Sequence, residues 1–456
     1  MNPSLTIAVL GGGITGLAAA HRLSTLGHGV VLLEASPRIG GAIRTEITDG
    51  WLIEAGPNSF QPTQAEVTDL LTELGLAGET VAASPKAKNR FLVRGGEVIA
   101  APLSPPALFG SRLFSFGAKL RVLAEIFARR RQRPADVSVA EFVRDHLGSE
   151  LLDYAVQPLI GGIYAGDPAQ LSTQHAFPTL WESERTHGSI IRGQIAAAKT
   201  RRKEGRKPAA LISFRRGLQT LPEALAARQS AGAIRVNARV DSLTAQGKRW
   251  NVGWTEDGTP RNQTFDAVVS ALPAAGLARL RLAGGTPLAG LDAVPHPPVT
   301  SLFLGYRRAQ VPHALDGFGV LVPAVEKRSM LGVLFSSTLF PGRAPEGHAA
   351  LTVMVGGSLH PELAPMPASE ILARVAPDLK DLLGVEGPPV FTRRNFWPRA
   401  IPQYNLGHGA HLEALAATER SHPGIFFAGQ VRDGIALPAC AQSGLRVAVR
   451  AHTFLT

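Results

Sequence analysis

A glycine-rich turn close to the start of the chain has the composition of a phosphate-binding loop. An apolar run over residues 4–10 predicts a buried strand, the letters GGGITG at residues 11–16 interrupt it, and helical spacing resumes directly afterwards. In such a turn Gly11 permits the tight bend, Gly13 lets backbone N–H groups approach a pyrophosphate, and Gly16 lets the helix pack closely on the strand. The start of the helix adds partial positive charge. The segment therefore predicts a site for a dinucleotide.

A carboxylate stands at a suitable distance from this turn. Residues 30–34 form a second apolar run that ends in Glu34, 18 residues after Gly16. In dinucleotide-binding folds a carboxylate about 20 residues beyond the glycines hydrogen-bonds the ribose. The strand, the turn, the helix and the acid-ended strand together predict a Rossmann-type unit.

A second glycine pair distinguishes two kinds of dinucleotide. Gly40-Gly41 follows Arg38 within the run of residues 34–45. This arrangement resembles the flavin amine-oxidase superfamily, in which the second pair extends the dinucleotide-binding surface toward the flavin. An NAD dehydrogenase has no need of such a pair, so FAD is the expected cofactor.

The length and composition limit the class of protein. At 456 residues the chain is long enough for two or three packed units. It is 45% hydrophobic and 18% charged, with 48 glycines and 34 prolines, which excludes a disordered chain, a collagen and a coiled coil. The single cysteine, Cys440, excludes an internal disulfide and a Cys-built metal site, and fits a reducing compartment.

The charge is +11, which favours anionic partners such as nucleic acid, anionic lipid or a carboxylate substrate. Residues 89–207 contain a helix candidate with Leu120, Leu123, Ile126 and Phe127 on one face, followed by basic stretches at 129–131 and 199–207. These features fit a membrane surface, and they equally fit a solvated face. No aromatic residues interleave with the basic stretches, so we do not expect nucleic acid.

With no spanning segment and no basic signal-peptide start, we expect a cytoplasmic protein or one on the cytoplasmic face of the membrane.

The remaining pattern predicts an α/β plus α+β fold. Strand patterns around residues 235–255 and 265–273, and a strand, glycine turn and helix from residue 424 onward, return the chain to the first unit. Strand patterns between residues 299 and 355 predict a separate antiparallel sheet. We therefore expect a Rossmann-type FAD-binding domain from residues 1–88, 208–285 and 393–456, a helical membrane-facing insertion at 89–207, and an antiparallel-sheet substrate domain at 286–392.

A series of segments resembles the oxygen-dependent protoporphyrinogen oxidase family. The most specific is QPLIGGIYAGDP at residues 157–168, followed by Leu171-Ser172. Further segments match the family in the same order, at residues 177–180, 188–190, 214–222, 334–337, 340–341, 343–345 and 400–408. The likeness covers nearly the whole chain.

This resemblance implies FAD-dependent, six-electron oxidation of a porphyrinogen to a porphyrin, with three O2 consumed and three H2O2 formed. The cofactor carries such chemistry. The sequence shows no Ser/His/Asp, Cys/His or metal-ligand spacing, so we expect no catalytic side chain and no metal. His408 and His411 have helical spacing but lie in a glycine-rich segment, which favours a structural role.

The resemblance also implies which residues contact the substrate. A porphyrinogen is a large apolar ring with propionates, so its pocket should be aliphatic with arginine at one edge. The family pattern places Arg90 against a propionate, Leu321, Leu334 and Met354 against the ring, and the small residues Gly162, Ala165 and Gly166 on a facing strip. A surface role for the arginine and a sheet-core role for the three large residues remain open alternatives.

For FAD the family pattern extends to eighteen positions. They are Gly11, Gly12, Gly13, Ile14, Thr15, Gly16, Glu34, Ala42, Gly56, Pro57, Asn58, Ser59, Val240, Trp397, Gln430, Ile435, Ala436 and Leu437. The loop at 56–59 should pass over the flavin ring, although a surface turn fits it too. The sequence departs from the family at Ala42, which is small, at residues 430–433, where a tyrosine is common, and at Ala439, where an aspartate is common.

Several functions are compatible with this pattern. Protoporphyrinogen IX is the favoured substrate, and coproporphyrinogen III is the close alternative, because its four propionates would call for more basic residues. A flavin amine oxidase would need an aromatic pair near the flavin, and Arg432 and Ala436 do not provide one. A non-catalytic, porphyrin-carrying flavoprotein is the alternative outside enzymes. The sequence leaves a homodimer open.

Overall fold

The computed structural model describes residues 5–130, 133, 135–203 and 209–456. Ser4 of the predicted first strand, Arg131, Arg206 and Lys207 of the predicted basic stretches, and the predicted boundary at 207/208 lie outside these residues. The described strands are β1 (Thr6–Leu10), β2 (Gly29–Leu33), β3 (Thr45–Thr48), β4 (Trp51–Glu54), β5 (Thr80–Ala82), β6 (Asn89–Arg94), β7 (Glu97–Ala100), β8 (Ile212–Phe214), β9 (Ile234–Arg235), β10 (Ala238–Gln246), β11 (Arg249–Glu256), β12 (Thr259–Phe265), β13 (Ala267–Ser270), β14 (Arg281–Leu282), β15 (Val299–Arg307), β16 (Gly317–Leu321), β17 (Gly332–Leu334), β18 (His348–Gly356), β19 (Phe391–Trp397) and β20 (Ile425–Phe427).

Helices connect these strands, and most of those between β7 and β8 are short. They are α1 (Ile14–Thr25), α2 (Ala65–Glu73), α3 (Pro105–Gly110), α4 (Phe116–Glu125), α5 (Val139–His146), α6 (Ser149–Leu151), α7 (Gln157–Tyr164), α8 (Thr173–Ala176), α9 (Pro178–His187), α10 (Ile190–Lys203), α11 (Thr220–Ala227), α12 (Ala274–Arg279), α13 (Ser336–Leu339), α14 (Ala368–Leu383), α15 (His408–Ser421) and α16 (Leu437–Leu455). Among the described residues, no helix has both the length and the apolar character needed to cross a membrane.

The first unit is a parallel sheet in the order β20-β13-β1-β2-β9, covered on both faces. Alternate residues of β1 point to opposite faces. Ile7 and Val9 pack with α1 and α16, whereas Ala8 and Leu10 pack toward the mostly antiparallel sheet β12-β11-β10-β14. The predicted Rossmann-type unit is confirmed, with its strands drawn from the beginning, the middle and the end of the chain.

A seven-stranded sheet in the order β19-β15-β18-β17-β16-β6-β7 forms the second unit. It extends beyond the predicted 286–392, because β6 pairs in parallel with β16 and because β19 pairs with β15. The segment 89–207 thus begins with two sheet strands, and its helices start at α3. The pairing of β6 with β16 joins residues more than 200 positions apart (Leu92 with Leu321), so local patterns could not reveal it.

The two faces of this sheet differ in what they contact. Val320, Val333 and Val353 belong to a buried cluster that includes Val375 and Leu379 of α14. The strand register places Leu321 opposite Gly332 and Gly332 opposite Met354, and it pairs Gly319 with Leu334. Because directly paired residues and residues two apart share a face, Leu321, Leu334 and Met354 lie together on the face away from α14.

Candidate functional site

The glycine turn between β1 and α1 is closed by contacts that leave no room for side chains. Gly11 has φ +101°, and a Cβ there would lie 3.1 Å from the Ala271 carbonyl oxygen. A Cβ on Gly16 would lie 1.9 Å from the Gly11 carbonyl oxygen, so helix and turn are in direct backbone contact. Gly13 differs, because nothing lies within 4 Å of its Cβ position. The turn is therefore packed on one side and open at Gly13.

Glu34 lies at the end of β2, beside this turn. Its Oε2 accepts the Gly12 N–H at 2.6 Å, and its Oε1 accepts the Ser36 N–H at 2.8 Å. The Glu34 carbonyl accepts the Ala238 N–H at 2.8 Å, which brings the start of β10 and the nearby Val240 to the same edge. The carboxylate is thus fixed at the carboxyl end of the parallel strands, where open α/β sheets bind ligands.

The second glycine pair packs directly against the first turn. The Gly40 N–H donates to the Gly12 carbonyl at 2.8 Å, and a Cβ on Gly41 would lie 3.1 Å from the Gly13 Cα. The Arg38 guanidinium supports this second loop, since it donates to the carbonyls of Ile39, Gly41 and Ile43 at 3.2, 2.7 and 3.2 Å. Sequence reasoning treated Arg38 only as a marker before the glycines and missed this bracing role.

Several groups around the two loops lack partners within the described residues. The Gln219 Oε1 is buried without a hydrogen bond, and it would lie 3.4 Å from a Cβ on Gly40. No side chain caps the start of α1, whose N-cap is Gly13, or of α16, whose N-cap is Ala436. Uncapped helix N-termini bind anions. An open glycine, a fixed carboxylate and free N–H groups fit a dinucleotide with its diphosphate on the turn.

Three positions predicted to contact the cofactor meet where the loop after β4 passes the end of β19. A Cβ on Gly56 would lie 2.1 Å from the Ala42 carbonyl oxygen and 3.8 Å from the Trp397 ring. The Trp397 Nε1 donates to the Ala55 carbonyl at 2.7 Å. Asn58 donates from Nδ2 to the Gly56 carbonyl at 3.2 Å, and Gly56, Pro57, Asn58 and Ser59 are half-buried. The loop is therefore held against the sheet and is not a free surface turn.

A buried ion pair lies next to the start of the loop at residues 56–59. Glu54 accepts the Thr45 hydroxyl at 2.7 Å and the Leu218 N–H at 2.9 Å. Its Oε1 lies 3.6 Å from Nη1 of Arg343, whose Nη2 donates to the Ser213 hydroxyl at 2.6 Å. Burial raises the pKa of Glu54 and lowers the pKa of Arg343. Neither residue was predicted, although Glu54 directly precedes the loop and Arg343 lies in a family-like segment.

The loop before α16 is also fixed by buried groups. The Gly429 N–H donates to the Ser443 hydroxyl at 2.8 Å, and the Cys440 N–H donates to the Ala436 carbonyl at 2.9 Å. Gln430 accepts a hydrogen bond at its carbonyl from the Tyr404 hydroxyl. Of the predicted positions here, Ile435 and Ala436 directly precede α16, Leu437 is its first residue, and Gln430 lies earlier in the loop.

The predicted ring-contacting residues lie opposite α7. A Cβ on Gly162 of α7 would lie 2.8 Å from the Leu321 Cδ2, so Gly162 faces the strip formed by Leu321, Leu334 and Met354. Each of these three side chains is half-buried, and the alternating residues of the opposite face are fully buried. The result is an apolar strip with an exposed glycine opposite it.

Arg90 lies at the edge of this strip, on β6 two residues before Leu92. Leu92 pairs with Leu321, so Arg90 shares the face of the strip. Its side chain is exposed, lies over the Phe318 ring at 4.6 Å, and donates to the carbonyls of Ala87 and Asn89 at 2.9 and 3.2 Å. Because these partners are carbonyl oxygens and not carboxylates, they do not neutralise the positive charge of Arg90. The guanidinium can therefore still pair with a carboxylate of a ligand.

The other small residues of the predicted strip have packing roles. Ala165 ends α7 with φ +49°, and its carbonyl accepts the Ser358 N–H at 2.7 Å. Gly166 is buried, and a Cβ there would lie 2.4 Å from the Gln403 Oε1. This differs from the expected open strip, since the space beside Gly166 is already filled by Gln403.

His408 and His411, which follow Gly407, lie in the first turn of α15, which begins at His408. Burial lowers the pKa of His408 to about 4, and its Nε2 donates to the Val431 carbonyl at 3.0 Å. No group of three or more His, Cys, Asp or Glu side chains in the described part of the chain is placed to hold a metal ion.

The fold and the paired glycine loops define a dinucleotide-binding flavoprotein. The family model of flavin containing amine oxidoreductases matches residues 14–452. Protoporphyrinogen oxidase 2, chloroplastic/mitochondrial, of Arabidopsis thaliana is 34% identical over 97% of this chain and 92% of its own length. The protoporphyrinogen oxidase of Bos taurus is 35% identical over 98% of each chain.

The chain belongs to the flavin containing amine oxidoreductases and, within them, to the protoporphyrinogen oxidase family. FAD is therefore its cofactor. A solved structure from Exiguobacterium sp. 255-15, named as a candidate protoporphyrinogen oxidase, shares the fold with a TM-score of 0.82 and 24% identity, and covers 99% of both chains.

Proposed function

We propose that this protein is an FAD-dependent oxidase that converts protoporphyrinogen IX to protoporphyrin IX in heme and porphyrin biosynthesis. The observation that carries the proposal is the apolar strip of Leu321, Leu334 and Met354 opposite Gly162, with Arg90 at its edge. An aliphatic surface with a guanidinium at its edge suits an apolar macrocycle that carries propionates. The relatives from Arabidopsis thaliana and Bos taurus, which are of similar length, are both named protoporphyrinogen oxidase.

The side chains of this site bind and orient the substrate and the cofactor. Bound FAD would supply a two-electron acceptor that O2 can reoxidise, so a six-electron oxidation would take three rounds. Arg90 orients the ring by one propionate, and the apolar strip excludes water from its face. Glu34 and the glycine loops hold the nucleotide part of the cofactor, and residues 56–59 hold its flavin part.

The test is the growth of porphyrin fluorescence in air, with protoporphyrinogen IX and coproporphyrinogen III offered separately to FAD-loaded protein. A preference for protoporphyrinogen IX supports the proposal. A preference for coproporphyrinogen III keeps the chemistry and replaces the substrate. If FAD is bound and neither substrate is oxidised, the proposal is wrong.

We propose further that the protein binds the cytoplasmic face of a membrane peripherally through the helical segment. On α4 only Ala118 and Glu125 are buried, whereas Phe116 is 72% exposed and Leu120 and Leu123 are also exposed. Leu103 and Phe127 nearby are 71% and 81% exposed. Exposed apolar groups beside arginines are typical of interfacial helices.

Sedimentation with vesicles tests this membrane proposal. Protein should pellet with vesicles containing phosphatidylserine, and a Phe116→Glu, Phe127→Glu variant should remain in the supernatant while it still binds FAD. An exposed apolar residue on another surface, Val390→Glu, is the matched control and should pellet like the unchanged protein. Equal pelleting of all three would contradict the proposal.

A further inference from the structure

The segment at residues 400–408 resembles the family, and its side chains contact both the loop before α16 and the end of α7. It runs between β19 and α15 and forms a bridge from Asn405 to Leu171, just beyond α7. The Ser172 N–H donates to the Tyr404 carbonyl at 2.8 Å. The segment therefore lies between the end of α7 and the loop that precedes α16.

The Tyr404 side chain holds the loop before α16 at two backbone groups. Its hydroxyl donates to the Gln430 carbonyl and accepts the Gly434 N–H at 3.0 Å. Tyr404 is 4% exposed, and this burial raises the pKa of its hydroxyl, which keeps the proton that the donated bond requires. The hydroxyl thus bridges both ends of residues 430–434.

His408 adds a third bond to the same loop. Its ring stacks on the Tyr404 ring at 4.2 Å with an interplanar angle of 17°, and its Nε2 donates to the Val431 carbonyl. The carbonyls of Gln430 and Val431 and the N–H of Gly434 are therefore all held by two stacked side chains.

Gln403 holds the end of α7 in a corresponding way. Its Nε2 donates to the Tyr164 carbonyl at 2.8 Å and to the Ile401 carbonyl at 2.9 Å. Tyr164 is the last residue of α7, and the Gln403 Oε1 fills the space beside Gly166. Adjacent residues of one buried segment thus bond the flavin-side loop and the substrate-side helix.

Packing joins the same two regions. Ile435, from the loop before α16, and Ile401 pack against the buried cluster that contains Tyr164 and Ile160 of α7. The Tyr164 and Tyr404 rings lie 6.5 Å apart. A displacement of either region would have to open this cluster, whose members are close-packed.

We propose that Gln403 and Tyr404 form a positioning element that sets the loop of residues 430–434 against the end of α7. Tyr404 acts through the backbone of the loop and so fixes the first turn of α16 at the cofactor. Gln403 acts through the Tyr164 carbonyl and fixes the strip that faces Leu321; this second half rests on the proposed function.

Tyr404→Phe tests the cofactor half with no substrate present. The substitution keeps the stacked ring and removes both bonds to the loop, so the dissociation constant for FAD should rise about tenfold and the visible spectrum of the bound flavin should shift. His408→Phe keeps the stack and removes one bond, and should raise the dissociation constant by a smaller factor.

Tyr164→Phe is the matched control. It removes a buried tyrosine hydroxyl from the same cluster, one that donates to the Ala176 carbonyl at 3.1 Å and not to the loop. FAD affinity and flavin spectrum should remain unchanged in this variant. If Tyr404→Phe leaves both readouts unchanged, or if Tyr164→Phe changes them equally, the inference is overturned.

Gln403→Met tests the substrate half. The variant keeps the side-chain length and loses the bond to the Tyr164 carbonyl, so KM for the porphyrinogen should rise severalfold while FAD affinity is retained. An unchanged KM would overturn this half. If the unmodified protein turns over no porphyrinogen, the proposed function and this half both fail, while the FAD measurements on Tyr404→Phe still decide the cofactor half.

Discussion

The proposed site has a nucleotide end, at the glycine loops, and a ring end, at the apolar strip proposed to face the porphyrinogen ring, and the two ends are built from different groups. At the nucleotide end, backbone contacts of glycines within residues 11–41 make the cradle, and Glu34 and Arg38 bond almost entirely to backbone. At the ring end, side chains on β6, β16, β17 and β18 make the surface. The packed side of the first end tolerates no added atoms, whereas the second end can adjust, because flexible aliphatic side chains line it.

The largest effect is expected from adding one methyl group to the nucleotide end. Gly16→Ala puts a Cβ 1.9 Å from the Gly11 carbonyl oxygen, so the turn must move and the protein should lose FAD and much of its stability. Gly13→Ala is the matched control for folding. Its Cβ meets nothing within 4 Å, so stability should be kept while the pyrophosphate loses its approach and FAD affinity falls.

Thermal unfolding of the FAD-free proteins and FAD titration separate the two outcomes. If Gly13→Ala unfolds as readily as Gly16→Ala, the distinction between a packed side and an open side of the turn is wrong.

The second effect concerns the ion pair beneath residues 56–59. Arg343→Met leaves Glu54 buried without its cation, which should cost about 3–5 kcal/mol of the free energy of unfolding at pH 8. Because the pKa of Glu54 is raised, the native state binds more protons than the unfolded chain, and this carboxyl loses its contribution to stability as pH rises through the raised pKa. The deficit should therefore shrink at pH 5.

Urea unfolding at both pH values measures this deficit. A Glu54→Gln, Arg343→Met double variant removes the charge that is left unpaired and should recover part of the stability at pH 8. Equal deficits at pH 5 and pH 8 would contradict the assignment of the effect to the Glu54 charge.

At the ring end a smaller effect is expected from Arg90→Met. The variant removes the cation at the edge of the strip and keeps the length of the side chain, so KM for the porphyrinogen should rise about tenfold with little change in kcat. Arg239→Met, on an exposed arginine of β10, is the control and should leave steady-state kinetics unchanged. An unchanged KM in Arg90→Met would remove this residue from the substrate site.

The smallest effect is expected from Gly162→Ala. The new Cβ meets only the end of the Leu321 side chain at 2.8 Å, which can rotate away, so stability should be nearly unchanged and KM should rise about twofold. Combining it with Leu321→Ala should return KM toward that of Leu321→Ala alone. A large loss of stability in Gly162→Ala would contradict the view that the ring end can adjust.

This difference between the two ends also explains which parts of the protein could be predicted from sequence. The Rossmann-type unit, both glycine loops and Glu34 follow from spacing within about 45 residues, because backbone geometry restricts which residues can form such turns. The seven-stranded sheet was predicted only in part. Its pairing of β6 with β16 depends on contacts between distant residues, which no local pattern records.

The missed residues share one physical feature. Arg38, Arg343, Gln403 and Tyr404 act by bonding to backbone or to another buried side chain, and not by facing a ligand. A residue type alone does not reveal such a role, since buried partners are set by the fold. Arg343, Gln403 and Tyr404 lie in the family-like segments at 343–345 and 400–408. The resemblance of these segments did not indicate what role the three residues have.

The close contact of α1 and α16 has a consequence for the order in which the protein is made. A Cβ on Gly444 would lie 2.1 Å from the Thr15 carbonyl oxygen, so the first helix and the last are in backbone contact. Synthesis runs from the N-terminus, so the glycine turn at residues 11–16 is made well before α16, the helix that packs behind it. The nascent chain cannot complete its nucleotide cradle until residues 437–455 have been synthesised, so fragments that lack these residues should not retain FAD.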